Sequence, residues 1–254
     1  MQQDNLPDLL GQYMMYNAIV EKCQSAQKID LENAAHLRPT CLLPLLVFVK
    51  SNVPPMKLIG PLEAQLSKIV QLTLGSSAGC VNYEPQAPFV VLPRSSSHFN
   101  PFFQRICDMC GTYGNMEKFR VMVDELTNNI YLHSRFDNAM VMAQHLSPSR
   151  NIELGIIDDG ITIGGSLRNA GMMLEDGSAL NAAVNGLSSR KEAGRGFGLS
   201  GSISTLIGDF NANVLLVSGQ AIMHFDQHGP KGFIMRESMK LHGTLISIRL
   251  PARL

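Results

Sequence analysis

The chain has 254 residues, enough to bury one large core or two smaller ones. Hydrophobic residues make up 45% and charged residues 17%, a globular composition on the apolar side. Lys+Arg and Asp+Glu balance at 21 each without a long run of like charge, which argues against nucleic acid or an anionic membrane as partner.

Met1-Gln2-Gln3-Asp4-Asn5 has neither the basic stretch nor the apolar stretch of a secretory signal, so a cytoplasmic location is expected. Residues 5–25 carry a partial 3.6-residue period through Leu6, Leu9, Leu10, Tyr13 and Met14 and predict a helix. Lys28-Ile29-Asp30-Leu31 reads as a short strand. Pro39 suits a first helical turn, and the apolar run Cys41–Val49 behind it is too short to span a bilayer, so it predicts a buried helix to about Lys50. Met56–Ile59 reads as a further strand and Pro61 opens another helix to about Leu72. Alternating strands and helices imply a small α/β unit over residues 1–85.

Gly75-Ser76-Ser77-Ala78-Gly79 and Ser95-Ser96-Ser97 mark a boundary region, with a strand at Phe89–Leu92 inside it. Helices are predicted over 101–111 and 115–135. The first contains Cys107-Asp108-Met109-Cys110; the five scattered cysteines do not form a disulfide framework. A zinc site needs another ligand pair and a redox site a thioredoxin-like context; two half-buried thiols in a helix is the simpler reading. Ile152–Ile157 predicts a strand. The Gly/Ser/Asn-rich stretch from Gly164 to Gly196 reads as a lid with short helices at Ala170–Leu174 and Ala179–Val184. A helix over Phe197–Ile207 follows, then strands at Val214–Ser218, Ala221–Phe225, Gly232–Met235 and Thr244–Leu250, with Gln227–Gly232 as a hairpin loop.

Within the 115–135 helix, Glu125, Asn129 and His133 stand four apart and share one face, beside an apolar stripe of Phe119, Met122, Leu126 and Ile130. A solvated Glu/Asn pair gives the same spacing. A carboxylate and an amide on a packed helix can also position a water or hydroxyl and a metal ion for phosphoryl chemistry. Asp158-Asp159-Gly160-Ile161-Thr162 ends a strand in a glycine turn. A buried Asp there can accept from an exocyclic amino group and select adenine over guanine, although a plain Asp-Gly turn has the same residues. Gly194-Arg195-Gly196-Phe197-Gly198 precedes a helix, where glycines let backbone approach phosphate; its spacing is not the dinucleotide fingerprint.

In this order the segments resemble the GHKL superfamily of histidine kinases, anti-sigma-factor kinases, gyrase-type topoisomerases, mismatch-repair ATPases and the ninety-kilodalton heat-shock chaperone. Glu125-Leu126-xx-Asn129-xxx-His133 is similar to the N box, and Asp158-x-Gly160-x-Thr162 to the first glycine box. Gly194-x-Gly196-x-Gly198-Leu199 resembles the next glycine box, and Gly243-Thr244 resembles the last box. The resemblance covers residues 115–251 and implies a Bergerat-type ATP-binding domain over 86–254. That is an α/β (α+β two-layer sandwich) fold whose mixed, largely antiparallel sheet is covered by helices on one face.

The resemblance implies ATP and Mg2+ as cofactors. Asn129 would hold the metal and Glu125 would orient or deprotonate the nucleophile. Asp158 would hold adenine N6 with Thr244 beside it, and Gly160 and Thr162 would shape the turn below the base. Gly194, Gly196 and Gly198 would hinge the lid on the phosphate side. His133 would pack the helix, and Lys191 and Arg195 are lid charges that can also reach phosphate. Family members commonly carry glycine where Thr162 stands, which implies a stiffer turn here. The N-terminal unit is similar to STAS domains through Ile29-Asp30-Leu31 and Leu37-Arg38-Pro39-Thr40-Cys41-Leu42-Leu43. In that family a phosphorylatable serine falls where Thr40 stands, but Arg38 and Cys41 replace its usual neighbours, so Thr40 reads as a helix-start residue.

The expected function is an ATPase or protein kinase of the anti-sigma-kinase or histidine-kinase-like type, acting in regulation on a protein partner or phosphoacceptor protein, with homodimer formation open. A two-component kinase is disfavoured because residues 101–115 hold no His and His98 lies in a Ser/Pro-rich loop. The alternative is a nucleotide-gated interaction module with negligible turnover.

Overall fold

A computed structural model describes residues 8–23, 28–32, 37–51, 56–74, 79–82, 88–94, 101–111, 114–146, 149–189 and 198–251. The N-terminal part comprises α1 (Leu9–Cys23), β1 (Lys28–Asp30), α2 (Pro39–Ser51), β2 (Lys57–Ile59) and α3 (Glu63–Leu74). β1 and β2 pair in parallel, Ile29 opposite Leu58, with α2 as the crossover between them. Every residue of α2 from Pro39 to Val47 is buried, which explains why it is apolar all round: it is packed on several sides at once.

Eight further strands, β3 (Gly79–Asn82), β4 (Pro88–Val91), β5 (Ala139–Leu146), β6 (Asn151–Asp158), β7 (Asn213–Gly219), β8 (Ala221–Asp226), β9 (Gly229–Ile234) and β10 (Leu241–Leu250), form one sheet among the described residues. Its order is β3-β4-β5-β6-β10-β7-β8-β9, and every ladder is antiparallel. The sheet expected to be mixed is therefore antiparallel throughout; among the described residues the parallel pairing is that of β1 with β2, which lies outside it. The boundary expected near residue 85 falls between β3 and β4, which are paired to each other with Val81 opposite Phe89.

The remaining helices are α4 (Pro101–Gly111), α5 (Met116–Asn129), α6 (Ile163–Asn169), α7 (Asp176–Val184) and α8 (Gly198–Phe210). The period of two along each strand sorts side chains between two cores. Leu154 and Ile156 of β6, Leu216 of β7 and Ile248 of β10 join Phe119, Met122, Leu126 and Leu206 on one face. Met140, Met142, Ile157, Leu215 and Leu245 join Tyr13, Leu43 and Leu46 on the other. The sheet is thus covered on both faces, not one, because α1 and α2 occupy the side expected to be open. The molecule is a mixed α/β chain of three layers.

β5 and β3 have no counterpart among the strands expected from the sequence. β5 is buried at every position except His145, so the alternation that marks a half-exposed strand is lost. β9 is the exposed edge; Pro230 and Lys231 on it weaken its capacity to pair with another strand. Its hairpin turn is only Gln227–His228, since Gly229 to Gly232 are already in the ladder with β8. No helix among the described residues is long and apolar enough to cross a membrane.

Candidate functional site

α5 starts where Asn115 accepts the Lys118 amide on its side-chain oxygen at 3.0 Å, the usual N-cap bond. Phe119, Met122, Val123 and Leu126 form its buried stripe, and Phe119 meets Phe210 of α8 edge-on at 5.7 Å. Glu125 and Asn129 are half-buried beside that stripe. The α-helix expected to continue to 135 ends at Asn129. A π turn follows over Ile130–Ser134, closed by Arg135 in the left-handed conformation at φ 52°. The wider i→i+5 winding breaks the α-helical register that would place His133 on the face of Glu125 and Asn129. The packing role expected of His133 gives way to a polar one: its Nδ1 lies 2.9 Å from the Ser189 hydroxyl, itself 3.0 Å from the Ser166 hydroxyl on α6.

Ser134 fastens this helix end to the segment after β6. Its carbonyl accepts the Ile161 amide at 2.6 Å, and a Cβ on Gly160 would lie 2.1 Å from that same oxygen. Only glycine fits there. Asp158, the last residue of β6, is 3% exposed and stands between Ala139 of β5 and Thr244 of β10. Its side chain accepts the Gly160 amide at 2.9 Å. Burial pushes its carboxyl up to about 7, with the Asp159 charge adding to the rise and the Gly160 amide opposing it.

Thr244 is half-buried, and its hydroxyl lies 2.9 Å from that of Ser218 on β7. Ser218 also accepts the Ile163 amide at 2.8 Å, so it joins the start of α6 to the sheet. Gly243 lies within the bulge between Leu241 and Thr244 of β10 and has φ +93°; a Cβ on it would lie 1.9 Å from the Asp158 carbonyl oxygen. Glycine is required on both counts. The hydroxyl of Thr162 accepts the Gly165 amide at 2.9 Å and caps α6. The short helix expected at Ala170–Leu174 is therefore shifted to Ile163–Asn169, because the cap sets its start.

Two polar anchors have no signal in the sequence. Asp159 accepts the Asp137 and Asn138 amides at 2.9 and 2.7 Å and the Asn138 side-chain amide at 2.5 Å. Asp176 at the start of α7 pairs with Arg168 at 3.1 Å and accepts the Gln220 amide at 3.0 Å. Asp159 and Asp176 both bind partners distant in sequence, so no local pattern announces them.

Gly198 opens α8 at φ +58° with open space around it. Lys191, Gly194, Arg195 and Gly196, together with His98, lie outside the described residues. The structure thus brings Asp158, Gly160, Thr162 and Thr244 together around the end of β6 and ties that loop to the end of α5 through Ser134. Among the described residues no group of three or more His, Cys, Asp or Glu could hold a metal ion. Asn129 alone fits Mg2+ only as Mg2+ commonly binds, with one or two protein oxygens completed by phosphate oxygens and water. A cavity of about 280 Å3 lies across the sheet, between α1, α2 and the start of β10, lined by Tyr16, Asn17, Val47, Phe48, Met239 and His242. It holds none of these site residues.

Thr40 is fully buried in α2. Its amide and hydroxyl donate to one Glu153 carboxylate oxygen at 3.0 and 2.6 Å, so in this conformation the hydroxyl cannot be reached for phosphorylation. Glu153 lies on β6 and also accepts from Gln12 at 3.1 Å and from Arg249 at 3.0 Å. Cys107 and Cys110 are fully, not half, buried; burial pushes Cys107 up to about 11 and Cys110 further, leaving both protonated near neutrality. No family model, curated protein or solved structure matches the chain.

Proposed function

We propose that the chain is an ATP- and Mg2+-binding protein of the GHKL type, with a Bergerat-type site at the end of β6, working in regulation as an ATPase or protein kinase. The observation that carries this reading is Asp158: a carboxyl desolvated at a strand end, flanked by Thr244 and Ser218 hydroxyls and approached by Gly160 and Gly243. A desolvated carboxylate is costly unless a donor meets it. The exocyclic amino group of adenine supplies that donor, whereas guanine turns an acceptor oxygen toward the same carboxylate. Glu125 and Asn129 on α5 supply a base and an amide oxygen on the phosphate side. In turnover, Glu125 takes the proton of the attacking water or hydroxyl; Mg2+ held by Asn129 would supply charge neutralisation at the phosphates.

Calorimetry with ATP, ADP and GTP, with and without Mg2+, tests the reading. ATP and ADP are expected to bind and GTP not, with Mg2+ strengthening ATP. The proton on Asp158 must leave before the carboxylate can accept fully from adenine. Affinity should therefore rise between pH 6 and pH 8, and binding at pH 6.5 should release a proton, seen as a buffer-dependent enthalpy. Equal affinity for all three nucleotides, or none, overturns it.

A nucleotide-gated module with negligible turnover uses the same adenine site. What favours it is the docking of α1 and α2 on the strands that carry Asp158 and Thr244, since occupancy can then be read by a partner without hydrolysis.

A further inference from the structure

α2 runs behind the sheet from Glu153 near the start of β6 to the loop beyond its end. At its last turn, the Lys50 ammonium donates to the side-chain oxygen of Asn138. Asn138 in turn donates its side-chain amide to Asp159 at 2.5 Å and its backbone amide at 2.7 Å, while its carbonyl accepts the Asp159 amide at 3.0 Å. Asp159 is flanked in the chain by Asp158 and Gly160. A cation of the N-terminal part is thus two hydrogen bonds from the loop proposed above to read adenine.

We propose that Lys50 is a positioning residue for the Asp158-Asp159-Gly160 loop, holding it from the N-terminal side of the molecule through Asn138. The adenine role of that loop rests on the reading given above; the hold itself does not. The electrostatic consequence follows from the charges around Asp158. Asp159 is adjacent to it and raises its pKa. Lys50 opposes Asp159 from α2, and Asp137 stands at the entry to β5 with its carboxylate on Arg94 at 2.7 Å. The other elements packed around it bring hydroxyls among the described residues: Ser134 from the π turn, Ser218 from β7 and Thr244 from β10. Lys50 is half-buried, where a charge acts over a longer range than in water.

Removing the Lys50 charge takes away the cation that opposes Asp159, which keeps its three amide donors, and makes a further negative charge on Asp158 harder to form. In the full chain without nucleotide, Lys50→Met should raise the Asp158 titration midpoint, followed by carbon-13 NMR of the carboxyl, by about one pH unit. The ionised fraction at pH 7 then drops from about half to about one tenth, so ATP affinity at pH 7 falls about fivefold and recovers at pH 8.5. Lys50→Arg should restore both. Lys50→Gln keeps a donor for Asn138 and removes only the charge, so it serves if the methionine variant does not fold, with the same upward shift expected. An unmoved midpoint in a folded variant overturns the proposal, as does an affinity loss equal at all pH values, which a merely structural contact would give. Should the wild-type chain bind no adenine nucleotide, the functional reading fails while the nucleotide-free titration still decides the role of Lys50.

Discussion

Asp158 carries a desolvation cost that the Gly160 amide offsets only in part. Below about pH 4 its carboxyl is protonated in the folded and unfolded chain alike, and burial does no harm. From there to about pH 7 the unfolded chain gives up a proton that the folded chain keeps, so stability falls as pH rises. The loss is complete above the folded value and amounts to about 4 kcal/mol, an order-of-magnitude figure from one pKa unit being about 1.4 kcal/mol. Asp158→Asn removes the titration while nearly keeping the shape. Its melting temperature is expected to exceed that of the wild type at pH 8 and to match it near pH 4, with adenine selectivity lost. Equal melting of the two chains at pH 8 would show that the carboxylate is not desolvated.

α5 keeps Glu125 apart from its packing, because its buried stripe excludes that residue. Glu125→Ala should leave the fold and ATP binding within about twofold while reducing phosphate release by about a hundredfold or more, the usual contribution of a positioned general base. Release unchanged with ATP still bound would remove Glu125 from the chemistry and favour the nucleotide-gated module. The stripe of Phe119, Met122 and Leu126 is legible in the sequence because it depends on local period alone. The π turn is not: it accompanies the bond from Ile161 to the Ser134 carbonyl, which closes across the whole of β5 and β6. β5 hides for a related reason, being buried on both faces and built of Ala and Met where β-branched residues mark a strand. The site's chain-local parts, Asp158 with Gly160 and Gly243 with Thr244, can be read from the sequence, while Ser218, Asp159 and Asp176 act through distant partners and cannot.

At the scale of the molecule, the placement of the N-terminal helices is equally unreadable, since its polar anchor is one glutamate inside an apolar strand. Glu153 is fully buried and accepts from Thr40, Gln12 and Arg249, joining α1, α2 and β10 to β6. Such an arrangement is stable only while complete: a glutamine in its place loses the charge opposite Arg249 and turns a donor toward groups that are themselves donors. Glu153→Gln is expected to cost about 3 kcal/mol or more, the range for breaking a buried ion pair. The loss should be directional. Native-state hydrogen exchange is expected to quicken in α1 and α2 well before α5, because α5 packs on the opposite face and shares none of the glutamate's partners. Equal acceleration in both layers would mean that the sheet and its two covers open as one cooperative unit, and that Glu153 does not fasten the N-terminal helices in particular. With directional opening, the same variant should also loosen the hold of α2 on Asn138, since Lys50 lies at the far end of the helix that Glu153 anchors.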